Sequence, residues 1–148
     1  MTKYWGADAQ AVRGALFYPH ELPGFVAEEG ETVVGLATYR RLDPITCELT
    51  TLNSLQAGVG IGGALVRAVV DAAKMLGCTR LLVVTTNDNL RALGFYQRRG
   101  FVLHEVRIGA VTRARQTLKA TIPLVADNGI PICDEIELAL DINSEEPS

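Results

Sequence analysis

The chain has 148 residues, of which 48% are hydrophobic and 21% are charged. This predicts one globular domain over residues 1–142 and a disordered tail over residues 143–148. The net charge of −3 and the lack of a long basic run argue against nucleic-acid binding. No apolar stretch could span a bilayer and no signal-peptide core precedes the domain, so we expect a cytoplasmic protein without membrane contacts.

The first half of the chain predicts three successive antiparallel strands. The segment "GFVAEEGETVVGLATYRRL" alternates apolar and polar residues on either side of a turn at Gly30. A second turn at Asp43-Pro44 leads into "ITCELTTLNSL", which is rich in β-branched residues. About 24 residues precede the first clear strand, and we interpret "TKYWG" near the N-terminus as the remnant of a helical region.

The second half of the chain alternates helices and strands. The 3.6-residue period that begins at Ile61 predicts a helix ended by Gly77. A buried strand over residues 80–86, a helix over 88–99 ended by Gly100, and a strand over 101–109 follow. A basic segment and a loop then lead to a final strand, "DEIELAL".

Cysteines and histidines give no metal signature in this sequence. The chain has three cysteines that form no C-x-x-C pair, Cys47, Cys78 and Cys133. We therefore expect buried reduced thiols, without a disulfide framework or a zinc site. His20 is isolated, and His104 alternates with Val102 and Val106, which predicts a histidine packed on a strand face.

Two overlapping phosphate-binding patterns occur in "NSLQAGVGIGGALV", residues 53–66. The G-x-G-x-x-G spacing of Gly58, Gly60 and Gly63 is typical of a dinucleotide turn, with Asp88 as its acidic residue. The other pattern is a glycine turn that begins near Gln56. Because the preceding segment belongs to an antiparallel meander, it argues against the dinucleotide fold. Both patterns place backbone N–H groups at a helix N-terminus, where an anion is stabilised.

A second motif favours the glycine turn. The stretch "NLRALGFYQRRGF" fits the pattern N-x-x-A-x-x-x-Y-x-x-x-G-F. Its matching residues are Asn89, Ala92, Tyr96, Gly100 and Phe101. With the pattern (Q/R)-x-x-G-x-(G/A) at Gly60 and Gly62, the chain resembles the GNAT superfamily of CoA-dependent N-acetyltransferases over about residues 25–108. The resemblance implies an α/β fold with a mixed, mostly antiparallel sheet that opens as a V and is flanked by helices.

The resemblance also implies a binding site for the cosubstrate acetyl-CoA. The residues it assigns to that site are Leu52, Asn53, Val59, Gly60, Ile61, Gly62, Gly63, Ala64, Asn89 and Tyr96. Backbone N–H groups of the glycine turn would hold the pyrophosphate, and the end of the third strand would hold the pantetheine arm. The sequence departs from the family at Ala57, where the motif has glutamine or arginine, since Gln56 is one place out of register.

Three side chains are candidates for the chemistry. The resemblance implies that Tyr96 is a general acid near the CoA sulfur, and the alternative is a tyrosine packed in its helix. Asn89 would contact the cosubstrate or act as a plain helix cap. Glu48, which the strand period places on the face of Leu52, is a candidate to relay the amine proton, and an exposed strand glutamate is the alternative. Asp134 could border an acceptor pocket.

The remaining charged residues of the second half are interpreted mainly as solvated. Glu135 and Glu137 alternate with apolar residues on the last strand, which predicts a solvated face. Arg113, Arg115 and Lys119 are interpreted as a solvated helix face, with attraction of an acidic acceptor or of the CoA adenylate phosphate as the alternative.

The predicted reaction is direct transfer of the acetyl group of acetyl-CoA to an amine of a small molecule or peptide. It uses no covalent enzyme intermediate and no metal. The alternative function is an acyl-CoA-binding sensor or partner module without turnover, which Ala57, Gly94 and the short N-terminus would suit. The short N-terminus also leaves surface that a second copy could cover in a homodimer.

Overall fold

The structure, a computed structural model, describes residues 10–12, 15–17, 22–54 and 60–143. Its elements in chain order are β1 (Gln10–Val12), β2 (Ala15–Phe17), β3 (Gly24–Glu29), β4 (Thr32–Asp43), β5 (Thr46–Ser54), α1 (Ile61–Met75), β6 (Arg80–Thr86), α2 (Leu90–Arg98), β7 (Val102–Arg107), α3 (Ala110–Thr117) and β8 (Glu135–Asp141). No helix among them is long and apolar enough to cross a membrane.

The strands form two sheets. β1 and β2 pair as an antiparallel two-stranded sheet, and the other strands form a six-stranded sheet in the order β3-β4-β5-β6-β8-β7. Strands β3 and β4, β4 and β5, and β7 and β8 pair antiparallel. The predicted α/β class with a mostly antiparallel sheet is therefore confirmed. Two short strands, β1 and β2, lie within the N-terminal segment, where the sequence predicts no clear strand, whereas "TKYWG" lies outside the described residues.

The chain divides into two compact units, with the boundary between Leu82 and Val83 inside β6. The first unit contains β3, β4, β5 and α1. The second unit contains β1, β2, α2, β7, α3 and most of β8. The single domain predicted over residues 1–142 stays a prediction, and residues 144–148 of the predicted tail lie outside the described residues.

The antiparallel meander of the first unit has the turns that the sequence predicts. Gly30 has a φ of 64° between β3 and β4, a conformation that glycine adopts without strain. After β4, the Oδ1 atom of Asp43 accepts a 2.9 Å hydrogen bond from the backbone N–H of Ile45. This bond closes the turn before β5, as expected for an aspartate at the start of a turn.

A β-bulge interrupts β5 at Thr50. Thr38 pairs with Thr51, but the next residue of β4, Tyr39, pairs with Leu49. Thr50 is therefore an extra residue, and its hydroxyl lies 2.7 Å from that of Thr38. A bulge changes which residues of a strand share a face, because the alternation of side chains restarts after it.

Helix α1 packs closely on β4. Its buried residues are Gly63, Leu65, Val66, Val69 and Ala73. A Cβ atom added to Gly35 would lie 2.7 Å from Cγ2 of Ile61 and 3.0 Å from Cδ1 of Leu65. Only glycine fits this position of β4, so Gly35 allows the start of α1 to approach the sheet.

The end of α1 brings two cysteines together. The helix ends at Met75 rather than at the predicted Gly77, whose φ of 86° gives the expected left-handed turn. Beyond this turn, the Sγ atom of Cys78 lies 3.2 Å from that of Cys47 on β5. Both cysteines are free and buried, as predicted, whereas Cys133 is half-buried. Burial and the hydrogen bond with Cys78 raise the pKa of Cys47 to about 12.

The second unit contains an exposed edge strand. β7 is the last strand of the six-stranded order, and every one of its residues except Arg107 is exposed. The side chain of His104 is 42% exposed, so the prediction of a packed histidine is wrong. The apolar alternation of this segment is the same as that of a half-buried strand. Such a pattern contains no information about whether another element covers the strand.

Candidate functional site

The N-terminus of α1 has the features of an anion-binding turn. Gly60 precedes the helix with a φ of 81°, and within the described part of the chain no side chain caps the helix start. The first turn also contains no acidic residue. The first N–H groups of an α-helix have no partner within the helix, so they can bind an anion at the positive end of the helix dipole. The turn before the helix, including Val59, Ala57 and Gln56, lies outside the described residues.

The bulge in β5 separates two residues that the sequence predicts on one face. Glu48 pairs directly with Arg40, and Leu52 pairs directly with Ala37. Directly paired residues project to the same face of an antiparallel sheet. Arg40 and Ala37 are three residues apart in β4, so their side chains project to opposite faces of the sheet. Glu48 and Leu52 therefore also lie on opposite faces, and the prediction that they share a face is wrong. Leu52 is on the face that packs against α1.

Glu48 is a buried carboxylate. Only 2% of its side chain is exposed, and its Oε1 atom accepts a 2.8 Å hydrogen bond from Nε of Arg40. The alternative of an exposed strand glutamate is therefore wrong. Asn53, which pairs with Leu36 after the bulge, projects to the same face as Glu48. This face combines a charged acid with an amide near the end of β5.

Thr51 adds a hydroxyl to the Glu48 face. It pairs with Thr38, and its Oγ1 atom is buried and has no hydrogen-bond partner among the residues that the structure describes. A buried hydroxyl without a partner is unfavourable, and it is satisfied when a bound molecule or water supplies the bond. The sequence gives no signal for this residue, because the strand period without the bulge places Thr51 on the face opposite Glu48.

Helix α2 presents Asn89 and Tyr96. The Oδ1 atom of Asn89 accepts a 3.0 Å hydrogen bond from the N–H of Ala92, which is the cap that the sequence offers as one of two roles. Tyr96 is 6% exposed, and its ring makes edge contacts with Phe95 and Phe101 at centroid distances of 5.2 Å. Burial raises the pKa of Tyr96 well above its usual range, so the phenol keeps its proton at neutral pH.

Asn87 joins the start of α2 to the loop before β8. Its Oδ1 atom accepts 3.0 Å hydrogen bonds from the N–H groups of Cys133 and Asp134, and its Nδ2 atom donates to the carbonyl of Pro131. Asp134 in turn accepts a 2.7 Å bond from the N–H of Gly109, directly before α3. The sequence gives no signal for these contacts, because they join residues more than 40 positions apart.

Two glutamates of β8 are buried rather than solvated. Glu135 and Glu137 are each 4% exposed. Arg107 of β7 donates to Oε1 of Glu135 from Nε at 2.8 Å and to Oε1 of Glu137 from Nη1 at 2.9 Å. Burial alone would lower the pKa of Arg107, but the two ion pairs outweigh it and raise the pKa. The predicted solvated face is wrong, because a neighbouring strand supplies the counter-charge.

The same cluster offers a set of metal-ligand types. Ligand atoms of His104, Glu105 and Glu137 lie within 4.8 Å of one another. Nη1 of Arg107 is 2.9 Å from Glu137 and 3.5 Å from Glu105, so a guanidinium already supplies positive charge to both carboxylates. His104 binds Glu137 through Nδ1 at 3.0 Å. These contacts describe an ion-pair network, which disfavours a further cation.

The basic residues of α3 have different roles. Arg115 donates to three backbone carbonyls, those of Ile122, Pro123 and Ile132, at distances from 2.6 to 2.9 Å. Arg115 therefore holds the loop before β8, and the prediction of a solvated helix face is wrong for it. Arg113 is exposed and donates one 3.2 Å bond to the carbonyl of Ile108.

A cleft of about 840 Å³ lies between α3 and the paired strands β7 and β8. Its wall includes Ala110, Ala114 and Leu118, which are spaced by one helical turn, and its charged residues include Glu105 and Arg107. The volume is within the range of small-molecule sites, which is about 300 to 1,000 Å³. The cleft thus combines an aliphatic helix stripe with charged strand residues.

Comparison with known proteins gives one family. A model described as the acetyltransferase (GNAT) family matches residues 2–101. The uncharacterized protein YdhI of Bacillus subtilis (strain 168) is 44% identical over 137 residues, covering 91% of this chain and 84% of YdhI.

Solved structures give the same result. An IAA acetyltransferase from Bacillus cereus ATCC 14579 is 29% identical, with a TM-score of 0.69 over 78% of this chain and 75% of its own. A GNAT family acetyltransferase from Elizabethkingia anophelis with acetyl-CoA bound is 24% identical, with a TM-score of 0.68 over 78% of this chain and 73% of its own. The latter likeness is one of fold alone. From the family match over residues 2–101 and the identity to YdhI, the chain belongs to the GNAT acetyltransferase family.

Proposed function

We propose that this protein transfers the acetyl group of acetyl-CoA directly to an amine. The observation that carries the proposal is the start of α1, where Gly60 opens a helix without a side-chain cap or an acidic residue in its first turn. Such a helix start suits the pyrophosphate of CoA, because its N–H groups and dipole stabilise negative charge and its glycines admit a close approach. The structural neighbour with acetyl-CoA bound supports the same cosubstrate.

The proposed site uses Gly60, Ile61, Gly62, Gly63 and Ala64 for the phosphates, together with Val59 of the preceding turn. Leu52 and Asn53 at the end of β5 are proposed to bind the pantetheine arm through their backbone, in the manner of an added strand. Asn89 is proposed to contact the cosubstrate through its amide nitrogen, since its cap of α2 uses only Oδ1.

The proposed chemistry needs two proton transfers. The neutral amine attacks the thioester carbonyl carbon, the amine proton passes through water to Glu48, and the C–S bond then breaks. The departing thiolate takes a proton from the phenol of Tyr96, which regains one from solvent. At neutral pH the phenol of Tyr96 carries the proton that this step needs. The carboxylate of Glu48 is held in one orientation by Arg40 and supplies the oxygen that receives the amine proton.

We assign the acceptor amine to the cleft beside α3. Glu105 of β7 borders the cleft with a side chain that is 54% exposed, so its carboxylate can accept a hydrogen bond from the neutral amine. The helix stripe of Ala110, Ala114 and Leu118 offers an apolar wall for the carbon part of the acceptor. An aliphatic amine of small-molecule or peptide origin fits these two walls.

The test combines a binding and a turnover measurement. Calorimetry would measure binding of acetyl-CoA and, separately, of NAD, and the same sample would be assayed for CoA release against a panel of amines. The Tyr96→Phe variant should retain its acetyl-CoA affinity within about twofold and lose about a hundredfold or more in kcat. Tyr39→Phe, which alters a half-buried tyrosine of β4, is the matched control and should keep both values.

Three outcomes would contradict parts of the proposal. Acetyl-CoA binding without amine-dependent CoA release would instead favour a sensor module. Binding of NAD in place of acetyl-CoA would favour the dinucleotide interpretation of the glycine turn. Full turnover by the Tyr96→Phe variant would remove Tyr96 from the proton-transfer step while leaving the acetyl-transfer activity in place.

A further inference from the structure

β7 is an edge strand whose side chains are unusually apolar for an edge. It pairs with β8 on one side and ends the order of the six-stranded sheet. Val102, Leu103 and Val106 are exposed by 62%, 56% and 52%, and Ile108 directly after the strand by 78%. Edge strands of monomeric proteins are normally protected by charge, proline or a covering element. This concentration of exposed apolar residues indicates an interaction surface.

A bulge sets the faces of β7. Leu103 pairs with Leu138 and Glu105 pairs with Glu137, so His104 is an extra residue. Leu103 and Val106 consequently project to one face, the face of Leu138 and Ile136. Without the bulge, two residues three apart in a strand would project to opposite faces.

The other face of β7 is charged. Glu105 and Arg107 pair with Glu137 and Glu135, and the extra residue His104 reaches Glu137 through Nδ1 at 3.0 Å. His104 and Glu105 are therefore neighbours on this face, with opposite charge when the imidazole is protonated. The edge of β7 thus has an apolar pair on one face and an acid–base pair on the other.

We propose that β7 pairs antiparallel with β7 of a second copy of this chain, around a two-fold axis at the bulge. In this register Leu103 lies opposite Val106 of the second copy, and His104 lies opposite Glu105 of the second copy. Both contacts occur twice, as a two-fold interface requires. Because the bulge brings Leu103 and Val106 to one face, the four apolar side chains meet in a single cluster, and the charged pairs meet on the reverse face.

Neighbouring registers are less favourable. An axis through Glu105 would place the two Glu105 side chains opposite each other, and like charges directly opposite are destabilising. An axis between Glu105 and Val106 would place these two residues directly opposite each other across the pair, although they project to opposite faces, so no regular ladder can form. The axis at the bulge is the arrangement that pairs apolar with apolar residues and acid with base. The proposal concerns assembly and does not depend on acetyl transfer.

The experiment is sedimentation velocity of the full chain over a range of about 1 to 500 µM, where a small two-fold interface is expected to associate. Leu103→Glu and Val106→Lys each place a charge opposite an apolar side chain, and each should raise the dimer Kd by about a hundredfold. The double variant Leu103→Glu/Val106→Lys places opposite charges across both contacts. It should recover at least about tenfold of the lost affinity and become sensitive to salt.

Leu124→Glu is the matched control, since Leu124 is an exposed leucine outside β7, at 69% compared with 56% for Leu103. This variant should keep the wild-type Kd within about twofold, and circular dichroism would confirm that all variants are folded. A wild-type protein that stays monomeric throughout the range would overturn the proposal. A dimer that survives Leu103→Glu, or one that Leu124→Glu disrupts equally, would place the interface elsewhere and would also overturn it.

Discussion

The Nε atom of Arg40 donates a 2.8 Å hydrogen bond to Oε1 of Glu48, directly across the paired strands β4 and β5. The guanidinium is 28% exposed and the carboxylate only 2%, so Arg40 supplies the charge that a buried acid needs and fixes the direction in which it points. Glu48 is thereby oriented on the face that also carries Thr51.

Replacement of Glu48 by glutamine tests its proposed role as proton acceptor. The amide oxygen of Glu48→Gln can still accept the bond from Arg40, but the side chain can no longer take a proton. We expect kcat to fall by about a hundredfold or more while acetyl-CoA affinity stays within about twofold. Steady-state kinetics and calorimetry on one preparation would measure both, and an unchanged kcat would assign Glu48 a purely structural part.

Two glycines at the ends of α1 form a matched pair. Gly60 has a φ of 81° and Gly77 a φ of 86°, and neither has an atom within 4 Å of an added Cβ. Gly60→Ala and Gly77→Ala should therefore each lower the free energy of unfolding by about 1 kcal/mol, from backbone strain alone. Only Gly60→Ala should also weaken acetyl-CoA binding, because only Gly60 lies at the proposed phosphate site. Denaturant titration and calorimetry would separate the two effects, and equal affinities would contradict the phosphate assignment.

The burial of the Tyr96 phenol predicts that the folded protein loses stability at alkaline pH. Its pKa is raised by burial from the ordinary value of 10.0, so the folded state holds the proton more tightly than the unfolded state. The associated stability is complete below pH 10.0 and is lost as the pH rises toward the folded-state pKa. In that window the free energy of unfolding should fall as the pH rises, in wild type more steeply than in Tyr96→Phe. The two slopes should differ by about 1.4 kcal/mol per pH unit.

Wild type must be compared with Tyr96→Phe because the thiol of Cys47, whose pKa is raised to about 12, loses its proton in an overlapping pH range. Its contribution is the same in both proteins and cancels. Urea unfolding at a series of pH values would give the difference directly. Identical slopes would mean that the phenol is as accessible in the folded state as in the unfolded chain.

The contacts of Arg115 predict that this side chain stabilises the loop before β8. Its guanidinium bonds the carbonyls of Ile122, Pro123 and Ile132, and a lysine ammonium cannot reach all three in the same geometry. Arg115→Lys should lower the free energy of unfolding by about 1 to 2 kcal/mol and speed amide exchange in this loop. Arg113→Lys is the control, since Arg113 donates one longer bond, to Ile108. Equal exchange in both variants would show that the loop holds its path without Arg115.

The regular elements could be predicted because their patterns are local. The 3.6-residue period after Ile61 predicts α1 with its start in place, and the apolar run at residues 80–86 matches β6. Turn residues were equally informative at Gly30 and Asp43, since the conformation of a turn depends on a few neighbouring residues. The glycine-turn motif and the motif that contains Tyr96 then indicated the family.

The faces of strands could not be predicted, because a bulge depends on the partner strand. Thr50 shifts the register of β5 and moves Glu48 to the face opposite Leu52. In the same way, the burial of Glu137 depends on Arg107, which is 30 residues away in the sequence. Periodicity assigns a face to each residue but contains no information about which side chain lies across from it.

The bonds of Asn87 have a consequence for how the loop before β8 could change in evolution. Its side chain binds the main chain of Pro131, Cys133 and Asp134, and it makes these bonds whatever side chains those residues carry. Natural variation or directed evolution can therefore replace the side chains of Cys133 and Pro131 while the entry to β8 keeps its path. A lineage that retains Asn87 can vary the surface of this loop at little cost in folding, which separates the evolution of the loop surface from that of the scaffold.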